Sequence, residues 1–74
     1  MFSMIDYLIR YEQDGLSNIE VLELFSHLIK KGYAWQLQGS YGRMAEQIIN
    51  DGLIDKQGNI HKDAEYKMEE RLNG

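Results

Sequence analysis

The fold class follows from residues 17–32, which read Ser-Asn-Ile-Glu-Val-Leu-Glu-Leu-Phe-Ser-His-Leu-Ile-Lys-Lys-Gly. Ser17 and Glu20 match a capping box, in which each side chain accepts a hydrogen bond from the backbone N–H of the other residue. Apolar residues then recur on one side of a helix, at Val21, Leu22, Phe25, Leu28 and Ile29. Two lysines and Gly32 follow, and they are typical of a helix C-terminus. This segment is therefore predicted to be the central amphipathic helix.

A shorter helix is predicted before it, from Ser3 to Gln13. Its apolar face is expected to carry Ile5, Leu8, Ile9 and Glu12. Asp14-Gly15 is expected to end this helix, because glycine readily adopts the left-handed conformation that follows a helix.

Two helices are predicted after the central one. The third runs from near Ser40 to Asn50 and ends at Asp51-Gly52, with a stripe of Tyr41, Met44, Ala45 and Ile48. The last runs from Lys62 to Leu72, with a thin apolar edge of Ala64, Met68 and Leu72 at intervals of four. Between them, Leu53-Ile54-Asp55 and Asn59-Ile60-His61 flank a glycine-containing turn and predict a short β-hairpin. We expect residues 1–74 to form a single all-α domain of about four short helices.

Composition limits how such a domain is stabilised. The chain has 74 residues, so it buries one small core, and it contains no cysteine that could form a disulfide. His27 and His61 are isolated, so a structural zinc site is not expected. Self-association remains as a support for so small a core, and we predict a homodimer.

Charge and the N-terminal sequence limit partners and location. The net charge of −4 opposes general affinity for nucleic-acid phosphates, which usually requires a basic patch. The first residues have no basic region and no long apolar run, so neither a signal peptide nor a membrane anchor is expected. The absence of cysteine fits a reducing cytoplasm.

The candidate functional site is the junction between the second and third helices, residues 33–43. A turn of helix is predicted around Trp35 to Leu37. The junction contains the only tryptophan, two tyrosines, two glutamines and an arginine, and tryptophan, tyrosine and arginine are enriched at binding hot spots. The candidate binding residues are Tyr33, Trp35, Gln36, Gln38, Gly39, Ser40, Tyr41, Gly42 and Arg43.

Each of these residues also has a structural interpretation. For Trp35 considered by itself, burial in the core is a stronger prediction than exposure at a binding surface, because one tryptophan fills much of a small core. For Tyr41 a buried ring with an exposed hydroxyl is as strong an interpretation as full exposure. Gln36 and Gln38 present amides to a partner or, by the slightly stronger interpretation, tie the loop internally.

An anion site is the alternative for Gly39, Ser40, Gly42 and Arg43. Free amides at a helix N-terminus and a guanidinium together bind a phosphate or carboxylate. A packing and capping role is favoured, with the two glycines allowing close approach of another backbone. Arg43 is then expected to pair with Glu46 or Glu20.

No catalytic or metal-binding set is found in the sequence, and no cofactor or enzymatic activity is expected. Ser17, Ser26 and Ser40 have no neighbouring His or Lys in sequence, and the carboxylates lie mostly on predicted solvent faces. The order of elements matches a winged helix-turn-helix, which makes nucleic-acid binding an alternative. The third helix, however, carries Arg43 against Glu46 and Asp51, so it is net negative.

The block Ala34-Trp35-Gln36-Leu37-Gln38-Gly39, followed by Tyr41-Gly42-Arg43, resembles a motif in a family of short uncharacterised proteins of tailed bacteriophages and prophages. Together with Phe25, Leu28, Ile29, Gly32 and Gly52-Leu53-Ile54, the resemblance covers roughly residues 8 to 54. It implies an origin in a phage genome and action in the cytoplasm of a host bacterium, and it brings no activity, cofactor or catalytic residue with it. We therefore expect a non-enzymatic interaction module that binds a host or phage protein through the 33–43 junction.

Overall fold

A computed structural model describes residues 3–13 and 15–73, with side chains described as far as Met68. The helices are α1 (Met4–Gln13), α2 (Asn18–Lys30), α3 (Gly39–Asn50) and α4 (Ala64–Asn73), and a 3₁₀ turn (Tyr33–Trp35) lies between α2 and α3. The described residues contain no β-strand. The prediction of a mainly helical fold with four short helices is confirmed.

The centre of the fold is α2, and it begins and ends as predicted. The Ser17 hydroxyl accepts a hydrogen bond from the Glu20 N–H at 3.3 Å, and the Glu20 carboxylate accepts one from the Ser17 N–H at 3.1 Å. Gly32 follows the helix with φ of +77°. All five residues of the predicted stripe are buried, and so are Leu24 and Ser26. Because burial extends beyond one stripe, α2 is covered on more than one side.

The helix α1 packs on α2 with a different face from the predicted one. Its partly buried residues are Met4, Tyr7, Leu8 and Tyr11, whereas Ile5 is 67% exposed and Ile9 is 50% exposed. Of the predicted face only Leu8 points inward. The tyrosines take the inner positions because their rings have more apolar area to bury, and Tyr11 meets Phe25 edge to face at 5.8 Å. Gly15 has φ of +83°, while Asp14 lies outside the described residues.

The helix α3 presents Tyr41, Ala45 and Ile48 to the core, as predicted, but Met44 is exposed. Met44 is 39% exposed and therefore lies at the edge of the buried stripe. In α4, Ala64 is buried and Met68 packs against the core, while the predicted contact of Leu72 lies outside the described side chains. These two helices therefore contact the core through narrow apolar edges.

The segment between α3 and α4 forms one antiparallel bridge, between Ile54 and Ile60, so the two apolar pairs lie antiparallel as predicted but form no β-strands. The Asp55 N–H donates to the Asn59 carbonyl at 2.9 Å. An Asp55 carboxylate oxygen also accepts hydrogen bonds from the Gln57 and Asn59 N–H groups, both at 2.9 Å. These hydrogen bonds fix the turn between the two bridge residues.

This loop is fixed to α2 at Gly58. The buried Ser26 hydroxyl donates to the Gly58 carbonyl at 2.5 Å. A Cβ atom on Gly58 would lie 2.9 Å from the Ser26 carbonyl oxygen, and the residue has φ of +93°. Only glycine combines this conformation with such close approach. The contact sets the positions of Lys56 and Ile60, which belong to the surface described next.

Candidate functional site

The 3₁₀ turn separates buried from exposed residues within the junction. Successive residues of a 3₁₀ helix point about 120° apart, so neighbours cannot share a face. Ala34 is fully buried, while Tyr33 is 40% exposed and Trp35 is 52% exposed. The prediction that Trp35 lies in the core is therefore wrong, because Ala34 occupies the inward position of the turn.

The Trp35 ring lies beside α3 at Gly42. A Cβ atom at Gly42 would be 3.8 Å from Trp35 Cε3 and 3.4 Å from the Ala34 carbonyl oxygen. The 3₁₀ turn thus approaches the α3 backbone at Gly42. At Gly39 no such approach occurs, since an added Cβ would meet only an Arg43 nitrogen at 3.9 Å.

A groove continues from Trp35 across α3 to the loop before α4. A cleft of about 500 Å³ is lined by Trp35, Glu46, Ile49, Asn50 and Lys56. A second cleft of about 340 Å³ shares Ile49 and Lys56 with it and extends to Ile54, Asn59, Ile60 and His61. We call the two together the Trp35–Ile60 groove. Its apolar surface comes mainly from Trp35, Ile49 and Ile60, and opposite charges lie beside it at Glu46 and Lys56.

Most of the predicted site residues are on the surface. Those exposed are Tyr33, Trp35, Gln36, Gln38, Gly39, Ser40 and Arg43, and Gly42 is half-buried. Because Gln36 and Gln38 are exposed, and none of the hydrogen bonds found among the described side chains involves their amides, the prediction that they tie the loop internally is wrong.

Tyr41 is the exception, since it belongs to the core. Its ring centroid is 6.0 Å from that of Tyr11 and 6.3 Å from that of Phe25. Burial raises the pKa of the Tyr41 hydroxyl, and the nearby Glu12 carboxylate raises it further through its charge and a hydrogen bond. A partner docking on the outer face of the junction does not reach this ring. Tyr41 is therefore removed from the candidate binding residues.

The N-terminus of α3 shows little that would favour an anion. Gln38 is the N-cap residue and makes no side-chain capping bond, so Ser40 does not have the predicted capping role. Among the described side chains Arg43 forms no ion pair with Glu46 or Glu20, and Glu20 is instead 2.8 Å from Arg10. Arg43 shares a shallow cleft with Glu46 and Asp51, whose carboxylates oppose a bound phosphate.

Of the residues that line the groove, only Trp35 was among the predicted binding residues, and Ile49, Lys56 and Ile60 are among those that the sequence interpretation missed. Glu46 and Ile49 follow Gly42 at i+4 and i+7, so these three residues share one face of α3. That spacing is visible in the sequence, but it becomes informative only once Trp35 is known to lie on Gly42. Lys56 and Ile60 join the groove through the loop geometry set by Gly58.

The described region contains neither a group of metal-binding side chains nor a membrane-spanning helix. Within residues 3–13 and 15–73 no three His, Cys, Asp or Glu side chains are grouped so that they could bind a metal ion. Among the helices of that region none is long and apolar enough to cross a membrane. His61 accepts a hydrogen bond from the Asp63 N–H at 3.1 Å through Nδ1, which places it at the entrance of α4.

Comparison with known proteins gives one result. A family model described as a domain of unknown function (DUF7417) matches residues 1–72. No curated protein and no solved structure matches the chain significantly. The family match extends beyond residues 8 to 54 on both sides. Its description says nothing about phage origin or the Ala34 to Arg43 motif, which remain predictions.

Proposed function

Because the chain belongs to the DUF7417 family, whose description names no activity, we propose a function from the geometry of its surface. The protein is a non-enzymatic interaction module, and it binds a host or phage protein through the outer face of residues 33–43 and the Trp35–Ile60 groove. The observation that carries this proposal is the position of Trp35, half-exposed beside a groove in a domain with only one tryptophan.

The exposure of Trp35 is costly for an isolated domain. Burying apolar surface contributes roughly 25 cal/mol per Å², and a small domain has few side chains as large as tryptophan to bury. Here Ala34 is placed in the core, and the exposed apolar side chains of Tyr33, Trp35 and Leu37 follow one another along the same junction. Apolar residues clustered on a surface mark interaction sites more often than scattered ones do.

The chemistry of the groove favours a protein partner. Trp35, Ile49 and Ile60 offer apolar contact to an aliphatic or aromatic side chain, and Glu46 and Lys56 offer charges of both signs at the side. A central apolar anchor with a polar rim is the usual anatomy of a protein interface. A nucleic-acid phosphate backbone requires a consistently basic surface instead. We therefore place the groove in contact with a protein segment bearing at least one large apolar side chain.

The proposal includes a phage or prophage origin and action in the host cytoplasm. Its support is the Ala34-Trp35-Gln36-Leu37-Gln38-Gly39 block with Tyr41-Gly42-Arg43, together with a chain free of cysteine.

The test compares Trp35→Ala with Tyr66→Ala in affinity capture from bacterial lysate. Tyr66 is the matched control, because it is an exposed aromatic residue on α4 that lines neither cleft of the groove. We expect at least one protein to be retained by the wild type and Tyr66→Ala and lost with Trp35→Ala. With the purified partner, calorimetry should show an affinity loss of about 30-fold, as for a hot spot of about 2 kcal/mol.

Two further variants address the junction itself. Arg43→Ala and Gln38→Ala remove exposed polar groups whose side chains make no hydrogen bond or ion pair among the described residues. Far-UV circular dichroism of every variant establishes that it is folded. If folded Trp35→Ala, Arg43→Ala and Gln38→Ala proteins all capture the same set as the wild type, the proposed surface is not the binding surface.

A further inference from the structure

A second apolar surface lies on α1, away from the groove. Ile5 and Ile9 are 67% and 50% exposed, and their spacing of four places them on one face of the helix. The residues of α1 that pack on the core are Met4, Tyr7, Leu8 and Tyr11. No residue of α1 is fully buried. The helix is thus held along one side, and two branched aliphatic side chains face solvent on another.

A pair of opposite charges flanks this face. Asp6 lies next to Ile5, and Arg10 lies next to Ile9. One terminal nitrogen of Arg10 is 2.8 Å from Glu20, and the other is 3.9 Å from Asp6. Strong charge-assisted hydrogen bonds are about 2.7–2.9 Å long, so the contact between Asp6 and Arg10 is loose. The Asp6 side chain is 62% exposed and retains capacity to accept hydrogen bonds.

We propose that the Ile5 and Ile9 face of α1 is the interface between two copies of this chain, packed antiparallel about a twofold axis. Such an interface must be self-complementary, because each patch meets a copy of itself. With Ile5 opposite the partner's Ile9, an α-helical rise of 1.5 Å per residue leaves Asp6 about 3 Å along the axis from the partner's Arg10. The symmetry forms this ion pair twice.

The antiparallel arrangement follows from the charges. A twofold axis that makes two facing helices antiparallel brings the same flank of each helix together, so the acidic Asp6 meets a basic group. A parallel pair brings the Asp6 flank against the Leu8 flank and gives Asp6 no basic partner on the other copy. The single acid and base on this flank therefore select a second copy in antiparallel orientation.

The dimer is expected to be weak and independent of the proposed function. A helix of ten residues covers less than the roughly 800 Å² per partner of a standard interface, so the dimer should dissociate on dilution. No residue of α1 lines the Trp35–Ile60 groove. Both surfaces can be occupied together, and failure of one leaves the other standing.

The first experiment is sedimentation velocity over a range of protein concentrations. We expect the wild type to shift from monomer to dimer, and Ile5→Ser with Ile9→Ser to stay monomeric while keeping its helical circular dichroism. The matched control, Tyr66→Ser, changes an equally exposed side chain and should still dimerise. A wild type that stays monomeric at every concentration, or a folded double variant that still dimerises, overturns the proposal.

The second experiment tests orientation. The chain has no cysteine, so Ile5→Cys and Ile9→Cys each introduce one thiol. An antiparallel pair places residue 5 opposite residue 9, within reach of a disulfide. An equal mixture of the two variants should therefore form more of the mixed disulfide than the half share that random pairing gives. Symmetric products in statistical or greater amounts would show that the helices do not pair in this way.

Discussion

Replacing Gly58 by alanine should destabilise the fold strongly, although it adds only one methyl group. An added Cβ would lie 2.3 Å from Lys30 Cγ, which can move, and 2.9 Å from the Ser26 carbonyl oxygen, which is helix backbone. Real Cβ atoms do not approach this closely, so either the loop or α2 must shift. The same shift would lengthen the hydrogen bond from the Ser26 hydroxyl to the Gly58 carbonyl.

The magnitude follows from three contributions. A positive φ costs alanine roughly 1–2 kcal/mol. Overpacking against a fixed backbone costs roughly 1–3 kcal/mol, and the stiffer unfolded chain returns roughly 0.4–1 kcal/mol. We therefore expect the free energy of unfolding to fall by about 2–3 kcal/mol. Each kcal/mol is worth about 4–8 °C in a domain of this size, so Tm should fall by about 10–20 °C.

Gly52→Ala is the matched control. Gly52 also has a positive φ, +77°, but an added Cβ there would meet nothing within 4 Å. The Gly52→Ala variant should therefore lose only the stability that positive φ costs alanine, about 1 kcal/mol of the free energy of unfolding. Urea unfolding followed by far-UV circular dichroism measures both variants. Equal losses for Gly58→Ala and Gly52→Ala would refute the close contact between the loop and α2.

Three other predictions concern the cap, acid and DNA. Ser17→Ala removes the capping hydrogen bond at the start of α2 and should lower the free energy of unfolding by about 1 kcal/mol, read from the urea midpoint. Hydrogen bonds from the backbone and side chain of Ser17 hold the pKa of Glu20 below its ordinary value of 4.5, and backbone hydrogen bonds led by that from Asn59 hold the pKa of Asp55 below 3.8. The stability that each of these hydrogen-bonded carboxylates contributes is complete above its ordinary pKa and is lost as the pH falls through its lower pKa in the folded protein. Tm should therefore drop over that acidic range, and it should drop less in the double variant Glu20→Gln, Asp55→Asn. Duplex DNA should form no complex at low salt, where electrostatic binding is strongest, and a salt-sensitive complex in a gel-shift titration would revive the winged-helix alternative.

The parts of the fold that depend on nearby residues were predictable from the sequence. The capping box of α2, its five stripe residues and Gly32 are all separated by a few positions, and their geometry is set by one helix. The pattern could not choose the inner face of α1, because that helix has apolar residues on two sides. Tyr11, on the inner face, packs against Phe25, which is remote in sequence.

The site was predictable in position and less so in composition. The 33–43 junction was identified by its unusual residues, and most of them are exposed. Trp35 was assigned to the core because its size suggested burial, whereas the direction of each side chain is set by the 3₁₀ turn, with Ala34 inside. Lys56 and Ile60 reach the groove through the loop fixed at Gly58, and such a long-range contact leaves no periodic signal. Ile49 shares a helix face with Gly42, but the sequence does not show that Trp35 lies beside that face.

The half-exposed position of Trp35 gives the protein a built-in optical reporter. Indole emission shifts to shorter wavelength when water is removed from the ring, and the chain has no second tryptophan to obscure the change. Any molecule that settles into the groove beside Ile49 should therefore alter the fluorescence of the unlabelled protein. A candidate binder can be titrated directly, and one that docks on α1 instead should leave the emission maximum where it was.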